Sequence, residues 1–137
     1  MALGQRTKST TEGTARRILD HARQAFNERG VTAVGIREIA RDLDLSPGNV
    51  SYHFPTKEDL ILVLIEEMHT ENNAAFASST EPRDFVQLDA SLRALMRRDL
   101  DNRWLTRDSV GLLITLPALR PLQKRMHDAR LARVDAI

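Results

Sequence analysis

Residues 36–60 read IREIARDLDLSPGNVSYHFPTKEDL, and two short helices are written into them. Ile36, Ile39, Ala40 and Leu43 fall at i, i+3, i+4 and i+7, which puts four apolar side chains on one face of a two-turn helix. Gly35 is an acceptable though not optimal N-cap, and Glu38 brings an acid to the positive end of the helix dipole. The turn Asp44-Leu45 leads to Ser46-Pro47. Serine is a good cap, and proline costs nothing at the first helical position because its missing N–H would have no partner there. A helix from Pro47 to about Phe54 then buries Val50 and Phe54, and Pro55 ends it. Thr56 caps a fourth helix, whose first turn carries Glu58 and Asp59.

Upstream, Ile18, Leu19, Ala22, Ala25 and Phe26 form one helical stripe that ends near Arg29, with Gly30 placed for a left-handed closing residue. Thr14 reads as the cap of this helix. Residues 1–13, with Arg6 and Lys8 and no periodicity, read as a flexible basic arm. Downstream, a long helix runs from Leu60 to about Ala77 and is apolar almost all round at its start, as expected of a connector packed on two sides. A fifth helix from about Asp84 to Leu100 presents Phe85, Leu88, Leu92, Leu95 and Met96. Residues 103–116 read as a less regular helix. Pro117 and Pro121 interrupt, and a last helix carries Leu122, Met126, Ala129 and Ala132. No stretch alternates with a period of two, so the fold class is all-α.

The chain has 137 residues, 42% hydrophobic and 28% charged, with no cysteine. It is long enough for a packed core, and it excludes a disulfide scaffold, a thiolate metal site and a cysteine nucleophile. The longest apolar run, Leu60 to Ile65, is far short of the roughly 18 residues of a membrane span. The amino terminus lacks the apolar core of a secretory signal, so a cytoplasmic location without membrane partners is expected. Charge is unevenly spread, at +3 over residues 1–57, −6 over 58–82 and +4 over 83–137. A basic end points to a polyanionic partner.

Three small helices share one core only if the second and third cross steeply, and Ala40 permits that approach. The second helix of such a pair projects an N-terminal end that fits the DNA major groove. With Val50 and Phe54 turned inward, helix 46–54 leaves Pro47, Gly48, Asn49, Ser51, Tyr52 and His53 outside. This face has no carboxylate to repel base edges or phosphates. Enzymatic chemistry finds no support. There is no strand for a nucleophile elbow, no phosphate loop and no dinucleotide fingerprint, and no cofactor is expected. Glu66 and His69 make a single i, i+3 pair, which reads as a solvated face and not as a metal site.

Ala25-Phe26 and Gly30, then Ile36 to Ala40 and Leu45 to Leu60, resemble the N-terminal domain of the TetR (tetracycline-repressor-like) family of bacterial transcription regulators, over about residues 14–65. The resemblance implies a helix-turn-helix DNA-binding domain at 14–59, followed at 60–137 by a helical domain that binds a ligand and dimerises. It implies a homodimeric repressor that reads a palindromic operator in double-stranded DNA and is released by a small-molecule inducer. On these positions it implies base-edge contacts from Asn49 and Tyr52, close backbone approach at Gly48, phosphate contacts from His53 and Lys57, and Ser46 as the helix cap. Arg6, Lys8, Arg16 and Arg17 would add non-specific attraction. Met96, Trp104 and Met126 are candidates to line the inducer pocket, with burial in the core as the competing and stronger assignment.

Three positions depart from the family pattern. Gly35 stands where Thr or Ser is usual, Asp44 where Gly is common, and Ser51 where Tyr is frequent. Relatives usually continue through two further long helices, so the 60–137 domain is expected to be incomplete. The alternative function is an interaction module that forms heterodimers with a full-length relative without itself occupying DNA.

Overall fold

The computed structural model describes residues 3–78 and 84–134, with side chains from Thr11 onward apart from several near the ends of the fourth and last helices and Leu95. Seven helices account for the described residues: α1 (Leu3–Arg29), α2 (Ile36–Asp42), α3 (Pro47–His53), α4 (Lys57–Ser78), α5 (Phe85–Asp101), α6 (Arg103–Thr115) and α7 (Leu119–Val134). None of them is long and apolar enough to cross a membrane. Among the described residues no group of three His, Cys, Asp or Glu side chains could hold a metal ion.

One core runs through the molecule. Ile18, Ala22 and Phe26 of α1 meet Ile39 and Ala40 of α2, Val50 of α3, and Leu60, Ile61 and Leu64 of α4. It continues into Trp104 and Leu112 of α6 and Leu119 and Leu122 of α7. Each fully buried Val, Leu, Ile or Phe side chain among them contributes about 1.5–3 kcal/mol. α4 has the two-sided packing its composition predicts. Glu67 pairs with Arg16 at 2.8 Å and Arg23 at 3.3 Å on the α1 side, and Glu66 meets Arg125 of α7 at 3.7 Å on the other.

The local signals at helix ends largely hold. Leu45 N–H bonds the Ala40 carbonyl at 2.8 Å and Asp44 N–H bonds that of Arg41 at 3.2 Å, which is the pairing of a Schellman close. Asp44 takes the left-handed position at φ 55°. Thr56 and Asp59 cap α4 reciprocally: Thr56 N–H donates to Asp59 Oδ2 at 3.0 Å, and Asp59 N–H to Thr56 Oγ1 at 3.1 Å. Asp84 caps α5 through Gln87 N–H at 2.8 Å.

Three boundaries differ from the sequence reading. α1 begins at Leu3, so residues 3–13 are helical backbone where an irregular arm was expected, and Thr14 lies inside the helix. No proline interrupts this stretch and several of its residues favour helix, so the ladder extends beyond the part that packs. Arg6 and Lys8 have side chains outside the described residues. α3 ends at His53, with Phe54 as its C-cap. Pro121 does not interrupt α7; it sits in the first turn, where a missing N–H is harmless.

The left-handed residue gives a direct test. Asp44→Gly removes the Cβ penalty at φ 55° and should raise unfolding stability by about 0.5–1 kcal/mol. Urea denaturation measures it, and a loss of stability would show that the Asp44 side chain supports the turn.

Candidate nucleic-acid interface

α3 is positioned from below by Val50, which is fully buried, and by Phe54 at its end. From its start it is held by Ser46, whose Oγ accepts from Asn49 N–H at 3.1 Å. Pro47 occupies the first helical position. With those residues fixed, Pro47, Gly48, Asn49, Ser51 and Tyr52 are exposed together on the outer face. Tyr52 is 76% exposed, and its ring meets that of half-buried His53 edge-on, with centroids 5.2 Å apart. A large aromatic side chain held by a neighbour but left in solvent has surface to offer a partner. Gly48 fits the same picture. A Cβ built there would meet nothing closer than Ser46 Oγ at 4.0 Å, so packing within the chain does not require glycine, and its bare backbone leaves room for another molecule.

Lys57 is placed differently from the others. Its Nζ donates to the Val31 carbonyl and its stem is half-buried at the start of α4. Burial lowers its pKa below the ordinary lysine value, against the opposing charges of Glu58 and Glu38. The ammonium therefore spends one of its three donors within the chain. At Gly35 the cap carries no side-chain hydrogen bond, as expected for glycine there.

The basic residues around this surface separate into paired and unpaired. Arg16, Arg23, Arg29 and Arg41 all engage carboxylates. Arg29 joins Glu38 and Asp42, and His21 also meets Asp42 at 3.2 Å. Burial acts to raise the Asp42 pKa, but its bonds to His21, Arg29 and Arg41 outweigh that and lower it. Arg37, exposed in the first turn of α2, has no ion pair with any described residue. The sequence reading passed over it, although an arginine two positions after the Gly35 cap is a signal available from sequence.

The candidate inducer residues are placed differently from one another where their side chains are described. Trp104 is fully buried, with its ring 5.5 Å from that of Phe26, so it is core. Met96 is 65% exposed on α5, and the side chain of Met126 lies outside the described residues. An apolar cavity of about 160 Å³ lies elsewhere, between α4, α6 and α7. Ile65, Leu105, Leu112, Leu119 and Leu122 line it, with Ser109 and Gln123 as polar groups.

Residues 18–64 match the family described as bacterial regulatory proteins, tetR family. The chain is 32% identical over 131 residues to the HTH-type transcriptional regulator MT3513 of Mycobacterium tuberculosis, covering 92% of this chain and 69% of that protein. It is 29% identical over 92 residues to the HTH-type transcriptional regulator TtgR of Pseudomonas putida, covering 67% of this chain and 43% of TtgR. Among solved structures, a TetR-family regulator from Marinobacter aquaeolei superposes with a TM-score of 0.78 at 27% identity, covering 87% of this chain and 59% of that one. GusR of Salmonella enterica superposes with a TM-score of 0.69 at 30% identity, covering 88% and 63%. The chain thus spans about half to two thirds of the length of these relatives.

Because one serine hydroxyl closes the start of α3, Ser46→Ala should cost about 1 kcal/mol of stability. Thermal unfolding checks this; an unchanged midpoint would mean that Pro47 and the Val50 packing alone fix the start of the helix.

Proposed function

Since the chain belongs to the TetR family of bacterial regulatory proteins, we propose that it is a DNA-binding transcriptional repressor whose α3 lies in the major groove. The observation that carries this reading is the outer face of α3. Gly48, Asn49, Ser51 and Tyr52 stand exposed and free of carboxylates on a helix whose other side is locked into the core. Asn49 and Tyr52 contact base edges, and Gly48 lets the backbone approach. His53 and Arg37 hold phosphates, and Lys57 does so with the donors that Val31 leaves unused. Residues 14–59 form the DNA-binding part and residues 60–137 the regulatory part.

Repression by a homodimer on a palindromic operator in the cytoplasm follows from the same family reading, since two reading helices about one DNA turn apart require two subunits. The apolar cavity between α4, α6 and α7 supports release by a small molecule. At about 160 Å³ it is close to the roughly 150 Å³ that accommodates a single aromatic ring.

One observation favours a second reading, an interaction module that pairs with a longer relative. α5 exposes Phe85 (89%), Leu88, Leu92 and Met96 in a row, an apolar face of the kind that marks association. Sedimentation together with a duplex-shift assay separates the two. A dimer that shifts DNA supports the repressor, and a chain that leaves DNA unshifted but binds a longer relative supports the module.

Two substitutions test the roles on the surface. Arg37→Ala should weaken binding to every duplex and reduce the slope of log affinity against log salt by about one phosphate contact. An unaltered slope removes Arg37 from the interface. Tyr52→Ala should relax base preference in selection from a random pool, at about 1–3 kcal/mol of lost discrimination at its position. An identical consensus removes Tyr52 from the reading set.

A further inference from the structure

The turn between α1 and α2 is held through a single residue from two different helices, α4 and α6. Val31 N–H donates to Asp108 Oδ2 of α6 at 2.9 Å, and the Val31 carbonyl accepts from Lys57 Nζ of α4. The carbonyl also takes Val34 N–H at 3.4 Å, closing the turn, and Val34 is fully buried beside it. Gly35 and α2 follow at once, and α2 packs on α3. The preceding side is held as firmly. Arg107 donates to the carbonyl of Phe26 at 2.6 Å and to that of Asn27 at 3.4 Å.

Between these bonds lies open space. A cavity of about 430 Å³ is bordered by Val31, Thr32, Lys57, Arg107, Asp108 and Gly111. Here α6 is tied to the turn by the Asp108 hydrogen bond beside the buried side chains of Val31, Leu112 and Leu116. Such a link is directional: a shift of α6 relative to α4 strains one or both of the hydrogen bonds at Val31, which four residues separate from the start of α2.

We propose that Asp108 is a positioning residue for the DNA interface, setting the placement of α2 and α3 through Val31 against the counter-hold of Lys57. Asp108 acts through the Val31 N–H, and its second oxygen meets Arg107 Nε at 3.5 Å, on the side chain that holds the end of α1. The proposal rests on the reading of α3 as the DNA-contacting helix, and it gives α6 a path to that helix that does not pass along α4.

The test uses the full chain with a duplex obtained by selection, at a temperature where every variant is folded. Asp108→Ala should lower affinity about tenfold, the scale of one charge-assisted hydrogen bond, and leave the salt slope unchanged because no phosphate contact is lost. Asp108→Asn should restore affinity to within about twofold, because its amide oxygen still accepts from Val31 N–H. Hydrogen exchange supplies a readout independent of DNA: amides 31–53 should exchange faster in Asp108→Ala than in Leu19→Ala, a core variant remote from the turn, when the two are compared at matched stability. A merely structural role predicts that the two variants behave alike in affinity and in exchange, and that result overturns the proposal. If the wild-type chain binds no duplex, the DNA-binding reading fails, while the exchange comparison still decides whether Asp108 sets the placement of α2 and α3.

Discussion

The last carbonyls of α1 have no donors within their own helix, and the way they are satisfied determines where the other helices lie. Phe26 O receives Gly30 N–H at 3.0 Å and Arg107 Nη2 at 2.6 Å, and Asn27 O receives Arg103 Nε at 3.4 Å. Cationic donors at a helix C-terminus also sit favourably against its dipole. Gly30, at φ +89°, turns the chain sharply enough to leave these oxygens accessible; a Cβ there would lie 3.4 Å from Arg107 Nη2. The Asn27 carboxamide completes the joint. It donates to the Asp101 carbonyl at the end of α5 at 2.7 Å and accepts from Trp104 N–H at the start of α6 at 3.0 Å. One side chain thus satisfies both sides of the α5–α6 corner, and Trp104 falls onto Phe26 as a consequence. α4 then fills the space between α1 and the α6–α7 pair with its all-round apolar first turns.

What the sequence made legible was decided within about eight residues. The stripe on α1 depends on apolar spacing, and the Ser46 cap with Pro47 and the Thr56 cap depend on side chains meeting backbone a turn away. The joint at α1 was not legible. Its partners Asn27, Arg107 and Asp108 are polar residues on helices whose periodicity concerns only apolar positions, and they meet across more than seventy residues of chain. The start of α1 was misplaced for another reason: without a proline or a strong cap, propensity alone sets a boundary poorly.

The α5 stripe shows a further limit of reading by pattern. Periodicity correctly identified Phe85, Leu88, Leu92 and Met96 as one face, yet these residues stand in solvent. A period states which side of a helix is apolar; it carries no information about what covers that side. The reverse holds at Trp104, where composition suggested either core or pocket and packing against Phe26 decides for core. Arg37 was passed over because an unpaired arginine looks like any other until the carboxylates of its neighbours have been assigned.

Lys57 links the proposed DNA surface to the turn after α1, because its ammonium donates to the Val31 carbonyl. Burial disfavours its charged form, so the folded state is less stable with the lysine protonated, and that cost fades as pH rises from below its lowered pKa towards the ordinary lysine value. An anion beside the same ammonium acts in the opposite direction, favouring the charged form against the desolvation. The ammonium has three donors, and Val31 O takes one. On the proposed reading, a phosphate at this ammonium would favour the charged form that also holds the Val31 carbonyl, so the two contacts would support each other, and by linkage a loss of one would weaken the other equally.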